Sequence, residues 1–159
     1  MFVLSWLACN GPEDSGERPI DVVVSLDWTL MQPDPLDPEA DCDEAGVHED
    51  AGVIEVDTNL CGWATLSQPS MGPVHEGESL DLLAWHSALA STETGEQGVM
   101  WLELGGERLF SVTKDIPSSE EVFVETVELT GSHPSGSEVR LHVHNHGGNS
   151  WSLAHLRRR

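Results

Sequence analysis

Apolar and polar residues alternate with a period of two along much of this chain, and the clearest run lies near its end. From Glu138 to Leu156 (EVRLHVHNHGGNSWSLAHL), Val139, Leu141 and Val143 alternate with Arg140, His142, His144 and His146. Successive strand residues point to opposite faces, so this spacing predicts a strand with one apolar face and one histidine-lined face. Asn145 to Asn149 (NHGGN) supplies residues that accept positive φ and predicts a tight reversal. The strand that follows sets Trp151, Leu153 and His155 on one side and Ser152, Ala154 and Leu156 on the other. The two strands therefore read as a closing β-hairpin.

The same alternation predicts further strands. Ile20 to Leu30 places Val22, Val24, Leu26, Trp28 and Leu30 on one face. Val53 to Asp57 and Cys61 to Gln68 flank a Thr58-Asn59 turn, Ser79 to His86 reads as a largely buried strand, and Val99 to Leu104 and Arg108 to Thr113 form a hairpin about Gly105-Gly106. Glu120 to Leu129 is another strand, separated from Glu138 by the turn Gly131 to Gly136. Between the first strands, Met31 to Gly46 (MQPDPLDPEADCDEAG) is rich in proline and acids and reads as a loop. About nine short strands at spacings of about ten residues, with no amphipathic helical stretch, predict an all-β fold. The expected form is an antiparallel β-sandwich, jelly-roll or Greek-key like.

Charge narrows the partners. The 159 residues carry 7 Lys+Arg against 28 Asp+Glu, a formal net charge of −21. Such a surface repels phosphate backbones and anionic lipid headgroups, so nucleic acid is excluded as a partner and a membrane contact is expected only through an anchor. Three of the seven basic residues, Arg157, Arg158 and Arg159, form a basic tail at 157–159.

The cysteines narrow the compartment. Cys9 ends an apolar start, MFVLSWLAC, whereas Cys42 and Cys61 lie in the body. One cysteine for processing and two left to pair is the usage of an exported protein. A Cys42–Cys61 bridge would close a loop of about twenty residues, worth about 3 kcal/mol in the chain-entropy account. Residues 1–9 read as a short signal-peptide remnant behind a start assigned too far downstream, 10–19 as a flexible tether, and 20–156 as the β-sandwich domain. Leu7-Ala8-Cys9 resembles the end of a bacterial lipoprotein signal, with Trp6 where that pattern prefers an aliphatic residue. The resemblance implies lipidation at Cys9. With Asn10 after it, it also implies an outer-membrane or cell-surface destination, the alternatives being periplasmic or secreted.

Candidate chemistry centres on His142-x-His144-x-His146. Strand residues two apart project on one side about 6.5–7 Å apart, near enough for two imidazoles to converge on one zinc. A third ligand would come from His86, His155 or His75. The same row, with a tryptophan such as Trp151 and with Asn149, would also suit a polar ligand such as a sugar. Asp41 to Gly46 starts like a calcium loop but fails at Ala45 and Gly52. His146-Gly147-Gly148 has no Gly-x-Ser-x-Gly to accompany it, Ser111-x-x-Lys114 falls on a strand, and neither a phosphate loop nor a dinucleotide fingerprint is present.

Cys61-Gly-Trp-Ala and His144-Asn-His-Gly-x-Asn-Ser-Trp151 together resemble a family of uncharacterised predicted bacterial lipoproteins. That resemblance brings no activity with it. The expectation is a non-enzymatic, exported, lipid-anchored β-sandwich with a binding or structural role in the cell envelope, its partner a glycan or an envelope protein and no cofactor required. The alternatives are a metal-binding module, with zinc on the histidine strand, and a carbohydrate-binding domain built on an exposed tryptophan and the histidine face.

Overall fold

A computed structural model describes residues 27–40 and 42–159. It is an antiparallel β-sandwich of two five-stranded sheets. One sheet holds, in spatial order, β1 (Thr29–Leu30), β4 (Trp63–Pro69), β9 (Glu138–Asn145), β6 (Gln97–Leu104) and β7 (Glu107–Asp115). The other holds β2 (Val47–Asp50), β3 (Val53–Asp57), β10 (Ser150–Arg158), β5 (Ser79–His86) and β8 (Glu121–Glu128). Consecutive strands alternate between the sheets except in two hairpins, β2–β3 and β6–β7, a jelly-roll-like pattern. Both hairpins turn on two residues of positive φ, Ala51 and Gly52 in one and Gly105 and Gly106 in the other. Such turns match the twist of the strands they join.

The core is the shared inner surface. Ile54 and Val56 of β3, Leu80, Leu82 and Ala84 of β5 and Trp151 and Leu153 of β10 face Leu66 of β4, Met100 and Leu102 of β6 and Val139, Leu141 and Val143 of β9. Each fully buried leucine contributes about 1.5–3 kcal/mol of transfer free energy, which is why the period-two pattern dominates these strands. Trp28 and Leu30 also pack on this core from the half-buried edge.

Several expectations change. The closing hairpin is absent: β9 pairs with β4 and β6, whereas β10 pairs with β3 and β5, so Asn145 to Asn149 crosses from one sheet to the other. Alternation settles which face of each strand is apolar but not which sheet the strand joins, since paired neighbours such as β4, β9 and β6 also all send apolar side chains inward. A bulge after Leu153 shifts the register of β10. It brings Leu156 inward opposite Leu82 and His155 outward opposite Leu83, the reverse of strict alternation. There is no separate basic tail either, because β10 runs on through Arg157 and Arg158, which pair with Asp81 and Leu80.

The strand predicted over 20–30 lies partly outside the described residues, and its described portion is extended at Thr29–Leu30. The acidic loop holds a 3-10 turn at Glu44–Gly46, capped by Asp43, and then an edge strand, β2, bringing the described strands to ten. Cys42 and Cys61 form the expected disulfide, and Gly46 packs so closely that a Cβ there would lie 2.8 Å from the Cys61 Cβ. Cys9 lies outside the described residues.

Candidate binding face

Register places the candidate side chains on the outward surface of the β1-β4-β9-β6-β7 sheet. Directly paired residues share a face, so three rows cross β4, β9, β6 and β7 in turn. They are Trp63, His144, Val99, Thr113; then Thr65, His142, Trp101, Ser111; then Ser67, Arg140, Glu103, Arg108. The alternation that buries Val139, Leu141 and Val143 is what turns Arg140, His142 and His144 outward.

Along this surface six planar groups touch in series. The Arg108 guanidinium lies 3.9 Å from the centre of the Trp101 ring. Trp101 stacks on His142 at 4.9 Å, and His142 meets the edge of Trp63 at 5.2 Å. Trp63 lies 3.9 Å from His144, and His144 lies 4.4 Å from His146, centre to centre. Beside the run, Glu103 Oε1 accepts from Arg108 at 2.7 Å and Glu138 Oε2 from Arg140 at 2.7 Å.

The Pro/Asp-rich loop closes one flank. Met31 N–H donates to the Thr65 carbonyl at 2.9 Å, and buried Asp34 accepts from Leu36 N–H at 2.8 Å and Asp37 N–H at 3.3 Å. Burial would raise the Asp34 carboxyl, but the Leu36 N–H, with Thr65, Trp63 and Asp37 donors after it, outweighs that and holds it below the usual range. His142 is buried between Trp101 and Trp63 and shares a 2.9 Å hydrogen bond with the Thr65 hydroxyl through Nδ1. Burial pushes His142 down to about 4, aided by His144 and Arg108 and opposed by Asp34. It is a neutral ring near pH 7. His144 is also lowered, by burial first and then by His146.

The sequence-predicted residues divide accordingly. His142, His144 and His146 do form one row, but they differ: His142 is sealed, His144 half-buried, and the His146 side chain 57 % exposed beyond the end of β9. His144 Nε2 and His146 Nε2 lie 2.6 Å apart, and Glu96 Oε2 stands 3.8 Å from His146 Nδ1. His86 does not join them, because it is in the other sheet and points into the core against Trp151 at 4.7 Å. His155 is outward on that second sheet, and His75 lies in the exposed turn before β5. Among the described residues no group of three or more His, Cys, Asp or Glu side chains is arranged to hold a metal ion.

Trp151 is sealed in the core and presents no surface to a ligand. Asn149 is a connector: its side chain donates to the Ala88 carbonyl, and its own carbonyl accepts from Thr58 N–H at 2.7 Å. The expected exposed tryptophan is not found among the described residues, since Trp28, Trp63 and Trp85 are half-buried and Trp101 and Trp151 buried. The period-two pattern of β4 and β6 puts Trp63 and Trp101 on the outward face by the reasoning applied to β9. Nothing local marks Asp34 as the buried carboxylate that accepts from Leu36 and Asp37 beside this face.

No protein-family model matches the chain, and no curated protein matches it. Among solved structures, a CBM4 structure shares a TM-score of 0.49 at 12% identity over 84% of this chain and 96% of that one. The N-terminal cellulose-binding domain of β-1,4-glucanase C from Cellulomonas fimi shares a TM-score of 0.49 at 10% identity, over 84% of this chain and 89% of that one. TmCBM61 in complex with β-1,4-galactotriose shares 0.44 at 12% identity, over 83% and 87%. Likenesses of this size carry no argument about the ligand of this chain, which rests on its own residues.

Proposed function

We propose that this chain is an exported, non-catalytic β-sandwich that binds a glycan across the outward face of the β1-β4-β9-β6-β7 sheet and is held at the outer membrane by lipid on Cys9. The observation that carries the glycan reading is the run Arg108, Trp101, His142, Trp63, His144, His146, six planar groups in contact on a surface that no other strand layer among the described residues covers. Sugar rings have apolar C–H faces and hydroxyl rims; flat rings accept the first, and Arg–Glu pairs and hydroxyls such as Ser111 and Thr113 serve the second. Arg108 covers Trp101 in this structure, so a bound sugar would exchange with the guanidinium for that face. The non-catalytic reading is supported by the state of the acids on the face: Glu103 and Glu138 are each tied to an arginine. The Cys42–Cys61 disulfide supports export, since such bridges persist in oxidising compartments.

Screening the full chain on a glycan microarray, followed by calorimetry on whatever binds, tests the face. Trp63→Ala and His144→Ala should each weaken binding about tenfold, the scale of one lost stacking contact with its buried area. A silent array, or binding indifferent to both variants, overturns the reading. Mass spectrometry of the mature N-terminus tests the anchor independently: an unmodified Cys9 in the mature protein removes it.

A further inference from the structure

The crossing between β9 and β10 bounds an open cleft that meets the ring run only at His146. It lies at one end of the sandwich, with a volume of about 440 Å³, within the range of small-ligand sites. The Gly147-Gly148 backbone forms one side, with Thr58, Ser91, Thr92 and Asn145 among the other walls. Its framework is fixed. Gly148 N–H donates to the Ala90 carbonyl at 2.7 Å, and Ala90 N–H returns a bond at 3.3 Å. Thr58 Oγ1 reaches the Gly147 carbonyl at 3.0 Å and accepts from Asn145 Nδ2 at 2.8 Å. A Cβ on Gly147 would collide with the Ala90 carbonyl, so the close approach of these backbones requires glycine there, whereas one on Gly148 would meet only the end of the Asn59 side chain.

The chemistry of the walls is unlike the rest of the molecule. In a chain of net charge −21 the lining contains no carboxylate. Two other clefts show the contrast: one is walled by Asp50 and Glu55 beside Trp85, the other by Glu76 and Glu128. The Thr58 and Ser91 hydroxyls and the Asn59 and Asn145 amide hydrogens are engaged within the framework, and Asn145 Oδ1 is a buried lining oxygen without a partner there, with His146 as the one titratable residue in the lining. Such groups suit an uncharged ligand that donates hydrogen bonds. A carboxylate or sulfate finds no fixed cation among them, and an ammonium group no anion.

We propose that this cavity is a separate binding site for one neutral sugar-sized polyhydroxy compound. It extends the glycan reading to a second place on the molecule and shares only His146 with the ring run, so either can fail alone. His146 lines the cavity and also ends the ring run, so a longer glycan held on the sheet face would lead towards it.

The test is an NMR titration of the full chain, labelled with nitrogen-15, with glucose, galactose, mannose and glucuronate, each to about 50 mM, well past millimolar Kd values. At least one neutral hexose should shift the amides of Thr58, Ser91, Gly147 and Gly148, with glucuronate at least about tenfold weaker. Thr92→Trp, a change on an exposed loop residue, should abolish those shifts while leaving the rest of the spectrum in place. Trp63→Ala should leave them intact. Shifts confined to the Trp63 and His144 strands would overturn the cavity site and leave the sheet-face reading standing. Glucuronate binding as well as the hexoses, or no cavity shift with any probe, would also overturn it.

Discussion

His144 Nε2 lies 2.6 Å from His146 Nε2, a spacing at which one proton serves two nitrogens. Protonating both rings would set two imidazolium ions edge-on with centres 4.4 Å apart. His144 is lowered by burial first and by His146 second, with Asp37 pulling the other way. The groups facing the pair are thus Asp37 from the loop, Glu96 from the segment before β6, and His142 beside it on β9. In an NMR titration of the ring protons, His144 should therefore protonate below the ordinary histidine value of 6.5. His146→Gln should move that titration upward. If it does not move, the two rings are not coupled in the way this contact implies.

His142 supplies a separate pH dependence, this one of stability. Its folded-state value, about 4, lies below the ordinary 6.5, so the folded chain resists a proton that the unfolded chain accepts. The contribution is fully present above pH 6.5 and is lost as pH falls from there towards 4. At about 1.4 kcal/mol per pH unit, the loss reaches about 3 kcal/mol. Urea unfolding at about pH 7 and about pH 4.5 should show the gap between wild type and His142→Gln closing in acid. Parallel curves for the two proteins would rule the account out.

Those two histidines also mark how far sequence reasoning reaches. The apolar set Val139, Leu141, Val143 and the outward set Arg140, His142, His144 follow from alternation alone, because period two is a local property of an extended chain. Which strand lies beside which is not local. Asn145 to Asn149 has the composition of a hairpin turn, yet pairing is decided by β4 and β6 on one side and β3 and β5 on the other, far away in sequence. The bulge that exchanges His155 for Leu156 has no marker in Ser152 to Leu156 (SLAHL), whose alternation reads as an uninterrupted strand. The edge strand Val47–Asp50, which follows the predicted loop, is mostly polar and exposed, so alternation does not mark it as a strand. The sealing of His142 depends on Trp63 and Trp101, which reach it from neighbouring strands that are distant in sequence.

The fold-back of the loop on Thr65 should depend on the Cys42–Cys61 bridge, which ties the loop to the start of β4. Its two cysteines are 19 residues apart, and a loop of that size gives about 3 kcal/mol in the chain-entropy account. Reduction, or Cys42→Ser with Cys61→Ser, should lower Tm by about 6–12 °C for a domain of this size. It should also raise the solvent accessibility of Trp63, readable as stronger quenching of its fluorescence by acrylamide against a Trp63→Phe control. A lower Tm with unchanged quenching would mean that the bridge stabilises the fold without holding the loop on the face.

Glu107 provides the most concentrated polar anchor among the described residues. One carboxylate at the start of β7 accepts from Thr130 N–H at 2.6 Å, Thr130 Oγ1 at 2.8 Å, Gly131 N–H at 3.2 Å and His133 Nε2 at 2.8 Å. These bonds fasten the turn between β8 and β9, and hence the entry of the histidine strand. Gly105 leaves room for the His133 ring, which a Cβ there would strike. Burial would raise the Glu107 carboxyl, but the Thr130 N–H, His133 and the Thr130 hydroxyl together hold it below its ordinary 4.5. A depressed folded value means the contribution is present above that ordinary value and disappears as pH falls through the folded one. Glu107→Ala should cost about 2–4 kcal/mol near neutral pH, from charged hydrogen bonds left unmade, and Glu107→Gln about half as much. Denaturant midpoints at neutral pH and in acid should show the Glu107→Ala deficit shrinking in acid, where the wild-type carboxylate is itself neutral. A deficit of equal size at both would place the cost in lost packing, and the charge on Glu107 would then have no part in holding the turn.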